Sequence, residues 1–170
     1  MIFINIGSNL HSSKGDRLYN LNKSIELLKK KKIKILKISS IYETPSYPNK
    51  KNPKFLNICL SIKSKIEPKS LIKIFKDIEK KMQRIRGIKN QPRTCDIDII
   101  DYCGKNINLS EIILPHPRAH LRNFVLFPLR ELNPKWVHPL LNKKIEFLIK
   151  KLNFKLRNEI TRLNESVIIN

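Results

Sequence analysis

The stretch Pro92-Arg93-Thr94-Cys95-Asp96-Ile97-Asp98-Ile99-Ile100 alternates acidic with branched aliphatic residues in its second half. Side chains of a strand point alternately to opposite faces, so a strand here would place Asp96 and Asp98 on one face. Ile97 and Ile99 would then face a core. Two carboxylates about 7 Å apart repel each other and lose solvation, which a cation between them relieves, and Mg²⁺ is the natural choice. The stretch predicts a core strand with a candidate metal site on its polar face.

Three arginines precede this acidic pair, namely Arg84, Arg86 and Arg93. Guanidinium groups beside a carboxylate-held metal suit a polyphosphate, because the metal bridges phosphate oxygens while the arginines take the remaining charge. The alternative interpretation is an edge strand with solvated acids next to a basic loop. The spacing of the arginines favours the polyphosphate site.

The composition fits one domain over residues 1–170, with residues 154–170 tail-like, either frayed or docked. Hydrophobic residues make up 41% of the chain, enough for one core. The formal net charge of +21 raises the possibility of nucleic-acid binding, but the excess is scattered lysine, which indicates compositional bias. We therefore expect small polyanionic ligands, no nucleic acid, and a monomer.

The three cysteines, Cys59, Cys95 and Cys103, lie in apolar runs without CxxC spacing. They predict buried free thiols in a reducing compartment and argue against a zinc site. The N-terminal apolar run is too short for a signal peptide, and no run is long enough to cross a membrane. The expected location is the cytoplasm, with no membrane partner.

Hydrophobic periodicity predicts the element order strand, helix, strand, strand, helix, strand. The predicted elements are strands at 2–6, 33–42 (bent near Leu36), 55–62 and 96–102, helices at 16–31 and 68–83, and then helices near 124–132 and 143–152. This order matches a split βαβ α+β sandwich, with an antiparallel sheet, both helices on one face and ligand on the other. The segment 85–91 lacks periodicity and predicts a flexible catalytic lid.

Two further groups of residues are candidates for ligand binding. Phe55 and Asn57 fall on one face of their strand, where an aromatic ring and an amide can stack on and hydrogen-bond a flat heterocycle. A structural aromatic beside a turn-capping Asn explains the same pair equally well. The Pro-bounded segment from Leu114 to Phe124 holds two His and two Arg, although His116 could equally be a structural loop histidine.

Several blocks, taken together and in order, resemble the 6-hydroxymethyl-7,8-dihydropterin pyrophosphokinase family of folate biosynthesis over residues 2–132. They are Gly7-Ser8-Asn9, Ser40-Ile41-Tyr42-Glu43-Thr44-Pro45, Phe55-Leu56-Asn57, Arg84-x-Arg86, Pro92-Arg93-Thr94-x-Asp96-Ile97-Asp98, Pro115-His116-Pro117-Arg118 and Arg122-x-Phe124-Val125-Leu126-x-Pro128-Leu129. The resemblance implies a ferredoxin-like fold with C-terminal helical additions. It also implies Mg²⁺-dependent transfer of pyrophosphate from ATP to the pterin hydroxymethyl group, with release of AMP.

The resemblance also assigns roles to residues of this chain. The two metal ligands, for two Mg²⁺ ions, are Asp96 and Asp98. The catalytic set is Arg84, Arg93, Asp96 and Asp98. The ATP-binding set is Glu79, Arg84, Arg86, Arg93, Ile99, His116 and Arg122. The pterin-binding set is Thr44, Pro45, Phe55, Asn57, Asp96 and Phe124, with the two phenylalanines sandwiching the ring.

The chain departs from the family pattern in the loop before Arg93. Gln91 replaces a small residue there, and the loop from Arg86 to Arg93 is about one residue shorter and lacks an aromatic. Pro117 stands where some members have Tyr. A competing interpretation is an RNA-binding module of the same fold class, which requires exposed aromatics such as Phe3 and Phe55 on the central strands.

Overall fold

A computed structural model describes residues 1–85, 87 and 90–168. The described residues form eight strands and five α-helices, with one short 3-10 helix at Ala119–Leu121. The strands are β1 Ile2–Ser8, β2 Lys34–Ile38, β3 Tyr42–Thr44, β4 Phe55–Lys63, β5 Asp96–Tyr102, β6 Ile107–Leu109, β7 Ile112–Leu114 and β8 Thr161–Arg162. The helices are α1 Arg17–Lys30, α2 Pro68–Lys81, α3 Asn123–Leu132, α4 Ile145–Lys151 and α5 Phe154–Asn158.

The two long helices begin and end where their sequences favour it. The side chain of Asp16 caps α1 by accepting a hydrogen bond from the backbone N–H of Tyr19 at 2.8 Å. Pro68 occupies the first turn of α2, where its missing N–H costs nothing. Both helices end in a pair of lysines, which complement the negative end of the helix dipole. The predicted start signals of both helices are confirmed.

The main sheet is antiparallel, and its two central strands are β1 and β4. The strand order is β5-β1-β4-β3-β8, with β2 also pairing with β4. The predicted strand over 33–42 is two strands, because the chain leaves the ladder between Ile38 and Tyr42. The register of β2 against β4 shifts between Ile35 and Lys37, where the bend was predicted. With α1 and α2 on one face, the structure confirms the predicted split βαβ arrangement.

Each face of the sheet packs against its own set of helices. The larger apolar cluster joins Ile4, Ile58 and Ile97 to α1 and α2. On the opposite face, Phe3 and Cys59 pack with side chains of α3 and α4, such as Val125. This second layer corrects the expectation that the whole face is left to ligand. In the described part of the chain, the polar side chains of this face lie at the end of the sheet near Gly7, where β1, β4 and β5 run side by side.

The C-terminal segment is docked rather than frayed. Strand β8 pairs with β3, and the backbone N–H of Leu163 donates to the carbonyl of Ile41 at 2.9 Å. Val167 is 9% exposed and joins the larger apolar cluster. None of the helices in the described part of the chain is long and apolar enough to cross a bilayer.

Two of the three cysteines meet the expectation from the sequence. Cys59 and Cys95 are buried free thiols, and burial raises the pKa of both, that of Cys95 to about 12. Cys103 is exposed, which corrects the prediction for this residue. It follows β5 in a turn with a φ of 54°, so it lies outside the strand that would have buried it.

A third acidic residue of β5, Asp101, ties the C-terminal half to the sheet. Its Oδ2 accepts a hydrogen bond from Nε1 of Trp136 at 2.8 Å, and its Oδ1 accepts one from the N–H of Gly104 at 2.7 Å. Asp101 is 5% exposed. A buried carboxylate with two neutral donors has a structural role.

We expect Asp101→Ala to destabilise the protein by about 2–4 kcal/mol, because it leaves the indole N–H of Trp136 buried without an acceptor. Urea unfolding monitored by tryptophan fluorescence measures this loss. The matched control is Asp77→Ala, on the exposed side of α2, which should change the free energy of unfolding by less than about 0.5 kcal/mol. A loss no larger than that of the control would contradict the structural role of Asp101.

Candidate active site

The register of β1, β4 and β5 determines which side chains form the base, or floor, of the site. Gly7 of β1 pairs with Asn57 of β4 on one side and with Asp96 of β5 on the other. Two residues earlier, Asn5 pairs with Cys59 and Asp98. Directly opposed residues of antiparallel strands point to the same face. The acidic pair and the Asn57 amide therefore share one face, as predicted.

Because Gly7 has no side chain, it leaves space for a ligand at the centre of this site. A Cβ added at Gly7 would lie 3.1 Å from Oδ1 of Asn57 and 3.4 Å from Cδ1 of Phe55. The absence of a side chain thus lets Asn57 and the Phe55 ring approach the β1 backbone closely. The predicted pair of aromatic and amide is placed on the wall of the site beside the acids.

The first acid, Asp96, is flanked by two of the predicted arginines. Nη1 of Arg84 donates to Oδ1 of Asp96 and to Oε1 of Glu79, both at 2.5 Å. Nε of Arg93 lies 3.5 Å from Oδ2 of Asp96. Burial alone would lower the pKa of Arg84, but the carboxylates of Asp96 and Glu79 outweigh it and raise the pKa. The side chain of Arg84 is therefore a fixed positive charge next to the acidic pair.

The second acid, Asp98, faces another pair of basic groups. Its Oδ2 lies 3.8 Å from Nε2 of His116 and 3.7 Å from Nη1 of Arg122. Both separations exceed a hydrogen bond, so a bound anion could insert its oxygens among these donors. The surrounding protein atoms desolvate the carboxyl, and the negative charge of Asp96 repels its ionised form. Both effects raise the pKa of Asp98 to about 6. Asp98 is thus an acid whose charge the protein stabilises poorly without a cation.

His116 is a neutral hydrogen-bond donor at this site. Burial and the charge of Arg122 lower the pKa of His116 to about 4, so the ring is neutral at pH 7. Its Nδ1 accepts a hydrogen bond from the backbone N–H of Arg118 at 3.1 Å. This bond favours the tautomer protonated on Nε2, an atom that lies 3.3 Å from Nη1 of Arg122 and 3.8 Å from Oδ2 of Asp98. His116 can donate to a phosphate oxygen without adding a charge.

The raised pKa of Asp98 leads to a stability prediction for the metal-free protein. A folded pKa of about 6 lies above the ordinary value of 3.8, so the stability contributed by Asp98 is full below about pH 4 and is lost as the pH rises towards 6. Asp98→Asn should therefore unfold at a higher temperature than the wild type at pH 8, and at the same temperature near pH 4. Thermal unfolding in a chelator, with Asp77→Asn as control, measures this difference. An Asp98→Asn protein that is less stable at pH 8 would contradict it.

The remaining predicted pterin residues lie on the same side of the sheet. Oγ1 of Thr44 accepts a hydrogen bond from Nδ2 of Asn57 at 3.1 Å, which fixes the orientation of the amide. The guanidinium of Arg93 lies 5.5 Å from the Phe55 ring, and that of Arg122 lies 5.3 Å from the Phe124 ring. Each aromatic ring therefore makes a cation–π contact with one of the arginines that flank the acidic pair. Pro45 follows Thr44 directly and is half-buried.

Two of the predicted ATP-binding residues, Glu79 and Ile99, have buried side chains, and a third, Arg86, is not among the described residues. Glu79 is buried and accepts from the N–H of Ile97 at 3.0 Å as well as from Arg84, so it can act on a nucleotide through Arg84. The side chain of Ile99 lies in the core on the opposite face, which leaves only its backbone for a nucleotide contact. Arg86, and part of the predicted lid, lie outside the described residues. The described residues of 85–91 belong to no helix or strand.

Asn9 is a site residue to which the sequence pattern assigns no role. Its Oδ1 accepts from the N–H of Arg93 at 2.7 Å, and its own N–H donates to the carbonyl of Arg93 at 3.0 Å. Its Nδ2 donates to Oγ of Ser46 and to the carbonyl of Pro53, both at 3.0 Å. Asn9 thus holds together the Arg93 segment and the loop after Thr44. The Gly7-Ser8-Asn9 turn was the only signal, because these partners are distant in sequence.

The acidic pair fits a magnesium ion that is shared with a substrate. Among residues 1–85, 87 and 90–168, no group of three His, Cys, Asp or Glu side chains could hold a metal. Mg²⁺ commonly takes one or two protein carboxylates and completes its octahedron with water and substrate phosphates. The Asp96 and Asp98 carboxylates on one face supply that set, and a cation bound there would stabilise the charged form of Asp98 and so lower its raised pKa.

Comparison with known proteins identifies relatives over most of the chain. A sequence model described as 7,8-dihydro-6-hydroxymethylpterin-pyrophosphokinase matches residues 3–134. The 2-amino-4-hydroxy-6-hydroxymethyldihydropteridine pyrophosphokinase of Bacillus subtilis is 37% identical over 131 residues, covering 76% of each chain. The folic acid synthesis protein fol1 of Pneumocystis carinii is 35% identical over 151 residues, which are 89% of this chain.

A solved structure shares the fold. The crystal structure of wild-type Plasmodium falciparum HPPK-DHPS superimposes with a TM-score of 0.70 and 17% sequence identity over 95% of this chain. This chain spans 47% of that solved chain and 20% of the Pneumocystis carinii protein.

Proposed function

Because the chain belongs to the 7,8-dihydro-6-hydroxymethylpterin-pyrophosphokinase family, we propose that it transfers pyrophosphate from ATP to the hydroxymethyl group of 6-hydroxymethyl-7,8-dihydropterin, a step of tetrahydrofolate biosynthesis. The observation that carries this proposal is the acidic pair Asp96 and Asp98, with basic groups on both sides and the Asn57 amide on the same face. Such a site can hold a metal-bound triphosphate next to a flat heterocycle.

The reaction is a single displacement. The hydroxymethyl oxygen of the pterin forms a bond to the β-phosphorus of ATP, while the bond from that phosphorus to the oxygen bridging the α- and β-phosphates breaks. That oxygen leaves on AMP, the hydroxyl proton leaves to solvent or a phosphate oxygen, and the pterin carries the pyrophosphate. No oxidation change or covalent protein intermediate is involved, so the enzyme must position the two substrates and offset the developing negative charge.

We assign the phosphate side to Arg84, Arg93, His116 and Arg122. Arg84 and Arg93 reach the site from one side, next to Asp96, while His116 and Arg122 reach it from the other, next to Asp98. Three guanidinium groups and one neutral donor thus flank the acidic pair from both sides, while Glu79 pairs with Arg84 behind it, so donors for phosphate oxygens are available on each side. Mg²⁺ would be held by Asp96 and Asp98 and, when bound, would offset the negative charge that develops on the phosphates.

We assign the pterin side to Thr44, Pro45, Phe55, Asn57 and Phe124. Asn57 is 2% exposed and its amide is oriented by Thr44, so its remaining N–H and its Oδ1 can read the edge of the heterocycle. The rings of Phe55 and Phe124, both half-buried, are the candidate stacking surfaces. A ring held there places its hydroxymethyl group beside the acids, where the phosphates converge.

The alternative of an RNA-binding module is disfavoured by the position of Phe3. This central-strand aromatic is 3% exposed and packs in the cluster formed with α3 and α4, so it cannot stack on a base. We also propose that the enzyme acts as a monomer in the cytoplasm, where ATP is available and the buried thiols Cys59 and Cys95 stay reduced.

The test is an assay of AMP release from ATP with the purified protein. AMP should form only when both 6-hydroxymethyl-7,8-dihydropterin and Mg²⁺ are present, and a pterin lacking the hydroxyl should not support the reaction. Equal AMP release without the pterin, or release of ADP instead, would contradict the proposed reaction. Salt-sensitive RNA binding without pterin-dependent turnover would favour the binding module instead.

A further inference from the structure

Asn5 is a buried polar residue on the floor of the active site that none of the proposed roles uses. It is 6% exposed, and its Oδ1 has no hydrogen-bond partner among the described residues. A buried amide oxygen without a donor normally destabilises a fold appreciably. Its presence here therefore calls for a ligand that supplies the donor.

The position of Asn5 indicates what that donor is. Asn5 pairs across β1 and β5 with Asp98, so both side chains point to the same face. On its other side it pairs with Cys59, and the next residue of β1 on this face towards the N-terminus is the buried Phe3. An apolar side chain would fit against Cys59 and Phe3. The polar neighbour of Asn5 across the strand pair is Asp98 on β5.

We propose that Oδ1 of Asn5 accepts a hydrogen bond from a water molecule coordinated to the divalent cation held at Asp98. This inference rests on the proposed function, which puts that cation at the acidic pair. Mg²⁺ keeps several of its waters when only one or two carboxylates bind it, and each bound water is a strong donor. Asn5 is then a positioning residue, which orients the hydration shell of the cation but does not touch the substrates.

The spacing of the two strands suits this arrangement. Directly opposed Cβ atoms of an antiparallel pair are about 4.5–5.5 Å apart. The carboxylate oxygen and the water would be neighbouring ligands of the cation, each about 2.1 Å from it and so about 3 Å apart, and a hydrogen bond of about 2.8 Å from that water would reach Oδ1 of Asn5. One metal–water unit can therefore sit between the carboxylate of Asp98 and the amide of Asn5. His116 and Arg122 reach Asp98 through Oδ2 and do not supply a donor to Asn5.

The experiment measures Mn²⁺ binding without turnover, by electron paramagnetic resonance or calorimetry, in the presence of a non-hydrolysable ATP analogue. Asn5→Ala and the nearly isosteric Asn5→Leu should weaken Mn²⁺ binding about tenfold, as is typical when an outer-shell partner is removed. Asn5→Asp, which keeps an acceptor oxygen, should retain most of the affinity. The exposed Asn106→Ala serves as control and should bind Mn²⁺ as the wild type does.

A second readout separates positioning from a structural role. Without metal, Asn5→Leu should melt at the same temperature as the wild type or higher, because the variant removes an unsatisfied polar atom. A lower melting temperature combined with wild-type Mn²⁺ affinity would overturn the proposal and make Asn5 a structural residue. Asn5→Ala gives an independent measurement of Mn²⁺ affinity if Asn5→Leu does not fold.

Asp98→Asn distinguishes failure of this inference from failure of the proposed function. If Asp98→Asn binds Mn²⁺ as tightly as the wild type, the cation is not at the acidic pair, and both proposals are wrong about the metal. If Asp98→Asn loses Mn²⁺ while Asn5→Ala and Asn5→Leu keep it, only the role of Asn5 is overturned.

Discussion

Asp96→Ala and Asp98→Ala should each lower the rate of AMP formation from ATP and pterin by a factor of about 10³ or more, while both variants remain folded. Either change removes one of the two carboxylates that share a face at the end of the sheet. The cation would then lose a ligand, and the negative charge that develops on the phosphates would be offset less well. The measurement is kcat at saturating ATP, pterin and Mg²⁺, with circular dichroism as the check on folding.

The two variants should differ in stability even though both are inactive. Asp96 accepts a hydrogen bond from the half-buried Arg84, so its removal weakens the anchoring of that guanidinium and leaves only Glu79. Among the described residues, Asp98 has no hydrogen bond of that kind, and its pKa is raised, so its removal relieves repulsion in the metal-free protein. Asp96→Ala should therefore be the less stable of the two in a chelator.

The control for this pair is Asp77→Ala, which removes an exposed carboxylate of α2 and should leave turnover unchanged. Normal turnover in Asp96→Ala or Asp98→Ala would show that the metal assignment is wrong. Loss of turnover together with loss of the folded circular dichroism spectrum would contradict the expectation that the fold is retained. The order of stability is a separate outcome, and a less stable Asp98→Ala would contradict the role given to its raised pKa.

The local sequence pattern was enough to place the acidic pair. The alternation in β5 sends Ile97 and Ile99 into the core and Asp96 and Asp98 to the other face, because strand side chains have a period of two. The motifs also identified the family correctly, since a model of that family matches residues 3–134. Both results depend on residues that are close in sequence or that occur in a fixed order.

Residues whose roles depend on distant partners were not predicted. In the sequence, Asp101 resembles the other two acids of β5. In the structure, the pairing of β5 with β1 is irregular between Phe3 and Ile4, and Asp101 accepts a hydrogen bond from Trp136, which is 35 residues away. Asn9 received no role from the sequence, whereas in the structure it bonds to Ser46, Pro53 and Arg93. Local spacing contains no information on such contacts, which arise only when the sheet brings the segments together.

The layer formed by α3 and α4 was missed for a related reason. The apolar stripes of these helices were recognised, but amphipathicity shows only that a helix packs and not which face of the sheet it covers. The helices cover Phe3 and Cys59, while the acidic pair and Asn57 stay outside this cluster. This partial cover limits the site to one end of the sheet, where substrate groups can be held close together.

Arg93→Ala should lower kcat by about 10²-fold and leave the affinity for the pterin within about threefold of the wild type. The buried Nε of Arg93 has no hydrogen-bond partner among the described residues, although it lies 3.5 Å from Asp96. This guanidinium is therefore a donor that a phosphate oxygen could satisfy as charge develops. An interaction that strengthens in the transition state contributes to kcat rather than to ground-state binding.

The backbone at Arg93 should not move in this variant. Asn9 holds it through the N–H and the carbonyl of Arg93, and neither bond involves the side chain. Asn57 is oriented by Thr44, so the amide that reads the pterin also keeps its position. The guanidinium does lie 5.5 Å from the Phe55 ring, which is why a small change in pterin affinity is allowed.

The measurement compares kcat with the dissociation constant of the pterin, determined in the presence of a non-hydrolysable ATP analogue. Arg93→Lys, which keeps the charge but not the planar fork of donors, should recover only part of the lost rate. Arg157→Ala, on the exposed helix α5, is the matched control and should behave as the wild type. Lost pterin affinity with unchanged kcat would place Arg93 on the pterin side of the site instead, because its contact with Phe55 would then outweigh any contact with phosphate.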